Sequence, residues 1–255
     1  FDLGSAFDEA SDTIAIKTGA TGERLASLEQ SFRDVVSSVP TDFGRASDAI
    51  GALHARTGQL GEGLAHLAAQ ELELSRLTKT DINENVALST RLFADWSIAT
   101  DQQSATLDKL FRASQLTGAG VTTLMDQVVQ FGSPLRQLGF GFDETIALMA
   151  KWEQEGVRSE LVLGSLRIAI GNLADAGVPL ETGIRDLIAT IRDLEDPTEA
   201  VQLAIAGFGA RAGPDMAAAI REGRFELGSL KSDIQDSEGA IDAASDSTKD
   251  AAERW

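Results

Sequence analysis

Apolar residues recur along this chain at three- and four-residue steps, and glycine interrupts the recurrence at intervals. Between positions 22 and 38, Leu25, Leu28, Phe32, Val35 and the flanking Val39 form one stripe, while Glu23, Arg24, Arg33 and Asp34 take the wet side. That spacing predicts an amphipathic helix, which is stable only when its stripe is docked. The same reading places helices at about 3–17, 22–38, 42–56, 60–78, 82–100, 103–116, 120–131, 143–155, 159–175, 181–194, 198–207, 214–222 and 226–254. Burying one large apolar side chain contributes roughly 1.5–3 kcal/mol, so these helices require one another. The predicted core includes Phe32, Trp96, Phe111, Phe142, Met149, Trp152, Leu166 and Ile170.

The densest punctuation lies between Thr117 and Pro179. A loop from Phe131 to Thr145 is predicted because Gly132, Pro134 and Gly139 break helices on either side, and Asp143 is positioned to cap the helix that follows. That helix presents Ile146, Met149 and Trp152 on one face and stops at Gly156. The next buries Leu163, Leu166, Ile170 and Leu173 and ends at Gly177-Val178-Pro179. Gly118 opens the series, and Gly207, Gly209 and Gly213 form a later corner that Phe208 plugs from inside. Few runs of β-branched or aromatic residues favour strands, and Tyr is absent. The expected fold is all-α, a Gly-punctuated bundle of helical hairpins followed by a long C-terminal amphipathic helix or coiled coil.

The segments LTGAGVTTLMDQVVQFGSPLRQLGFGFDETIALMAKWEQEGVRSELVLGSLRIAIGNLADAGVP and DPTEAVQLAIAGFGARAGPDMAAAIREG carry a resemblance to the core region of phage tail tape-measure proteins. In order, its elements are a short-helix segment, a helix start at Gly141-Phe142-Asp143-Glu144-Thr145, a Gly156-Val157 turn and the helix Leu166-Arg167-Ile168-Ala169-Ile170-Gly171-Asn172-Leu173. The match covers roughly two thirds of the chain, and its elements are mostly Gly and Leu positions. The resemblance implies a structural protein of the virion that occupies the tail lumen or tail tip after assembly in the host cytoplasm. Such a protein helps nucleate tube assembly, determines tail length, and leaves with or before DNA ejection. It also implies a small homo-oligomer, often a trimer, that meets tail-tube, distal-tail or baseplate hub proteins. In resembling proteins, apolar segments elsewhere are proposed to enter a host membrane; this segment is expected to make no membrane contact.

At 255 residues there is chain enough for one large or two ordinary domains. The expected division is a core domain at 1–223, with duplicated halves near 1–100 and 101–223, and a heptad-bearing helix at 224–255 leading to the rest of a longer protein. The opening pattern at Phe1, Leu3 and Phe7 also suggests a piece of something longer. Thr18-Gly19-Ala20-Thr21-Gly22-Glu23-Arg24-Leu25 aligns without gaps to Thr57-Gly58-Gln59-Leu60-Gly61-Glu62-Gly63-Leu64, and a weaker copy starts at Thr117-Gly118. Either a duplicated hairpin or the generic chemistry of a helix-Gly-helix joint accounts for it.

Leu227, Ile234, Ile241, Thr248 and Trp255 stand seven apart, and Leu230, Ser237, Ala244 and Ala251 form a second series three positions later. This is an a/d seam. Its knobs weaken toward the C-terminus and Gly239 lowers helix propensity inside it. A homomeric coiled coil, an amphipathic helix packed on its own domain and a frayed linker all fit. In the first case Leu227, Leu230, Ile234, Ile241, Ala244 and Trp255 form the oligomer interface.

Chemistry is sparse. A net charge of −18 repels phosphate backbones, so nucleic acid is not an expected ligand. No cysteine is present to supply a thiolate ligand or disulfide. His54 and His66 lack a companion ligand set, Glu153 with Glu155 and Asp193 with Glu195 read as solvated helix residues, and Gly207–Gly213 departs from a phosphate-loop spacing. No cofactor and no enzymatic activity are expected. The main alternative function is an α-solenoid adaptor that binds protein partners; a cell-wall hydrolase is a weaker rival.

Overall fold

The computed structural model describes residues 3–248. Among them the chain is helical throughout, with no strand. The helices are α1 (Leu3–Thr18), α2 (Gly22–Ser38), α3 (Phe43–Thr57), α4 (Gly61–Thr78), α5 (Ile82–Asp95), α6 (Gln103–Thr117), α7 (Val121–Gln137), α8 (Phe142–Gln154), α9 (Ser159–Asp175), α10 (Leu180–Asp193), α11 (Pro197–Phe208), α12 (Gly213–Arg221), α13 (Leu230–Gln235) and α14 (Ala240–Thr248). They divide into two compact units. Unit 1 comprises the chain to Phe111 together with the segment from Ser237 onward, and unit 2 runs from Arg112 to Asp236. This differs from the expected organisation: the break at 223/224 is absent, and the C-terminal segment is shared between the two units.

Unit 1 is built around α4, which packs on α2, α3, α5 and α14. With neighbours on so many sides, every residue from Gln70 to Ser75 is buried, charged ones included. α2 buries Leu28, Ser31, Phe32 and Val35, while Leu25 and Val39 at the margins of its stripe are half-buried. Phe32 stands edge-on to Phe7 at 5.7 Å and to Phe43 at 5.3 Å, a geometry that sets ring edges against ring faces. Side-chain caps start α3 and α5: Asp42 accepts from the Arg45 N–H, and Asp81 from those of Asn83 and Glu84.

The Thr-Gly joints have one chemistry. Thr18, Thr57 and Thr117 each donate their hydroxyl to the carbonyl four residues earlier and accept from the N–H two residues later. The following Gly19, Gly58 and Gly118 adopt φ of 65°, 71° and 77°, where a Cβ would be strained. The threonine thus satisfies backbone groups on both sides of the helix end.

In unit 2, Trp152 is fully buried and lies edge-on to Phe225 at 5.1 Å. Ile146 and Met149 share that buried face, and Phe208 is wholly enclosed. Several expectations are corrected here. Gly132 and Pro134 do not break a helix: α7 runs through both to Gln137, because Phe131, Gly132, Pro134 and Leu135 are all buried and that packing offsets the hydrogen bond the proline cannot make. The stop comes at Gly139, with φ of 77° and the Phe140 N–H bonded back to the Leu135 carbonyl. Gly141, not Asp143, is the N-cap of α8, and the Asp143 carboxylate accepts from Gln235 at 2.9 Å. On α9 the buried residues are Val162, Ser165, Leu166 and Ala169, whereas Leu163, Ile170 and Leu173 are half-buried. Trp96 and Phe142 are half-buried too. Trp96 follows the end of α5 at Asp95, where Ser97 turns the chain at φ of 52°.

The largest correction concerns the helix expected over 226–254. Asp236, at φ −86° and ψ 44°, ends α13, and Gly239, at φ 74°, precedes α14. Ile234 and Ile241 are both fully buried, the first in unit 2 where α13 packs on α8, the second in unit 1 where α14 packs on α4. Leu227, Leu230 and Ala244 are half-buried. A continuous helix across the seam is therefore absent among the described residues, and of its positions Ile234 and Ile241 are enclosed within the chain. Ala251 and Trp255 lie outside the described residues.

Candidate functional site

Two polar arrangements stand out in the interior of unit 1. The first fastens α14. Asp108, on α6 and 3% exposed, accepts from the Gly239 N–H at 2.9 Å and from the Ile241 N–H at 3.0 Å. Those N–H groups open α14 and have no helical partner of their own, so a carboxylate from another helix caps it. Burial pushes the Asp108 carboxyl above its ordinary range and Asp242 adds to that, while the two N–H donors and His66 oppose it. At the far end, Arg76 bridges Glu73 at 2.8 Å and reaches the Ser245 and Thr248 hydroxyls. Ile241 is the one large side chain of α14 that is fully buried.

The second is a polar seam between α4 and α5, which a short loop joins. Glu71 is wholly enclosed, and Ser89 donates to its Oε1. One turn closer to the connecting loop, the Ser75 hydroxyl donates to the Thr80 carbonyl at 2.5 Å and receives the Arg45 guanidinium at 2.9 Å. Asn85 donates to the Thr80 hydroxyl at 2.8 Å. Glu71 Oε2, Gln70 Oε1, Glu73 Oε1 and Asn85 Oδ1 are buried without a hydrogen-bond partner. Burial raises the Glu71 carboxyl from 4.5 to about 7, and the Ser89 bond offsets only part of that. Sequence periodicity did not reveal this seam. The available signal was the run Gln70-Glu71-Leu72-Glu73-Leu74-Ser75, where polar and apolar residues interleave rather than segregate.

The sequence-predicted positions are dispersed. His54 Nδ1 lies 2.7 Å from the Gln59 carbonyl, and His66 is exposed. No cluster of three or more His, Cys, Asp or Glu suited to a metal is present among the described residues. Glu153 and Glu155 are exposed, Asp193 pairs with its neighbour Arg192 at 2.7 Å, and Glu195 is exposed. The glycine corners are structural: a Cβ on Gly213 would stand 2.6 Å from the Ile205 Cα, so only glycine lets α12 begin this close to α11. Gly207 likewise meets Leu187, and Gly209 meets Ile168. Beside that corner unit 2 has an open cleft of about 440 Å³ whose walls mix Leu161 and Ile168 with Arg158, Arg211 and Glu160. It offers apolar contact and charges of both signs. Comparison of the chain with protein-family models, with curated proteins and with solved structures finds no match.

Proposed function

We propose that this chain is a structural module of a phage tail tape-measure protein, serving to dock the protein at the tail tip rather than to measure the tube. The observation that carries the reading is the ordered series from Leu116 to Pro179, which resembles the core region of that family and here forms α7, α8 and α9 with Gly139, Gly156 and Gly177 at their ends. Physical geometry favours docking. A helix rises about 1.5 Å per residue, so length is encoded efficiently by extended helix, whereas hairpins that fold back forfeit it. Tail-tube, distal-tail or hub proteins are the proposed partners. The module carries out no chemistry of its own, and its charge of −18 keeps it from holding the DNA that later passes.

Electron cryo-microscopy of the intact particle tests this directly. Density for the α7–α9 hairpins at the tip or in the lumen is the expected result; a particle whose tail lacks this chain would overturn the reading. The recurring Thr-Gly corners favour a second reading, an adaptor of stacked hairpins that binds protein partners. Location of the chain outside any virion, in a complex with host proteins, would select that alternative.

A further inference from the structure

We propose that Glu71 is a proton-binding lock at the centre of unit 1: neutral, its carboxyl is accommodated in the closed interior between α4 and α5, and ionised, its uncompensated charge loosens that packing. The geometry favours the neutral form. Glu71 is 0% exposed, one oxygen has the Ser89 hydroxyl alone for company, and the other has no partner. A buried carboxylate is tolerated when a cation or several donors compensate it. Here none does. On α4 itself, Glu73 and Arg76 pair with each other, and His66 is exposed. From α3, Arg45 is spent on Ser75 and His54 on the Gln59 carbonyl. From α2, Glu29 accepts from Ser11 and pairs with Arg33. From α5, Arg91 pairs with Asp95, and Glu84 is exposed. From α14, Asp242 is exposed, and Asp108 of α6 is engaged with the start of that helix. None of these groups makes a hydrogen bond or ion pair with Glu71.

Protonation also changes what Glu71 offers. A carboxylic acid carries one donor, and a carboxylate carries none. The buried oxygens of Gln70 and Asn85 are already unpartnered acceptors, so ionisation of Glu71 withdraws one donor from the interior and adds an uncompensated charge to it. With the folded group raised to about 7 and an ordinary value of 4.5 in the unfolded chain, the stabilising contribution is complete below 4.5. It is lost as pH rises through about 7.

The test uses the full 255-residue chain. Urea unfolding of wild type and Glu71→Gln is compared from pH 4.5 to 8 at fixed ionic strength, so that the general effect of net charge cancels between them. The unfolding constant of the wild type is expected to rise, relative to E71Q, on the order of 10²-fold across that range. In parallel, the ¹³C signal of the Glu71 carboxyl should titrate near neutrality, and amides of α5 should exchange faster above that midpoint beyond the intrinsic pH effect. A midpoint in the ordinary carboxylate range, or a wild-type to E71Q ratio that stays flat, overturns the proposal. If E71Q does not fold, the wild-type titration and exchange profile decide it by themselves.

Discussion

Trp152 shows how one position carries a large share of unit 2. It is fully enclosed, stacked edge-on with Phe225, and flanked on its face by Met149 and Ile146. Trp152→Ala leaves a cavity that surrounding side chains fill only in part, and a loss of about 3–5 kcal/mol is expected by denaturant unfolding. An unchanged midpoint would show that the site collapses without cost. Of the residues that periodicity assigned to the core, Phe32, Phe111, Met149, Trp152 and Leu166 are buried, whereas Trp96 and Phe142, at helix ends, and Ile170, within α9, are half-buried. Glu71 escaped notice for the converse reason. An amphipathic reading sends every charge to the wet side, and α4 has hardly one.

Helix α14 illustrates how a short element is held. Nine residues are too few to be stable alone, and its fastening comes from Ile241, from Asp108 at its start and from Arg76 at its end. Asp108→Ala strands two N–H groups and should cost about 1–3 kcal/mol. Amide exchange over residues 240–248 is expected to accelerate while α3 stays protected; unaltered protection in α14 would refute the capping role. Most elements were legible beforehand because glycine at positive φ ends a helix whatever it packs against, as at Gly58, Gly118 and Gly156. The C-terminal segment was not. A seven-residue apolar spacing states that two faces will be covered, and it is silent on whether a second chain or the same chain covers them. Likewise Pro134 was read as a breaker, although burial of its neighbours outweighs one lost hydrogen bond.

For the assembled chain, the location of Ile234 decides between intramolecular docking and association. With its side chain buried in unit 2 against α8, Ile234→Asp places a charge in an apolar site without a partner. The expected outcome is a lower melting temperature with no change in molecular mass by light scattering. A drop in mass, from oligomer to monomer at unchanged melting temperature, would restore the coiled-coil interpretation. The acidic surface sets a second property of the folded chain: its self-repulsion weakens as salt rises and the Debye length shortens to about 8–10 Å near physiological ionic strength.

The return of the chain to unit 1 at Ser237, after leaving it at Phe111, has a meaning in time. On a ribosome the last piece of unit 1 emerges 126 residues after the preceding one, the difference between 237 and 111. At about 5–20 residues per second that interval is roughly 6–25 s. Throughout it Asp108 and the flank of α4 that receives Ile241 wait uncovered, while the whole of unit 2 becomes available to fold first. A nascent-chain force profile should therefore register unit 2 before the completion of unit 1. A single folding event, seen only once residue 248 has cleared the exit, would show that neither unit matures without the other.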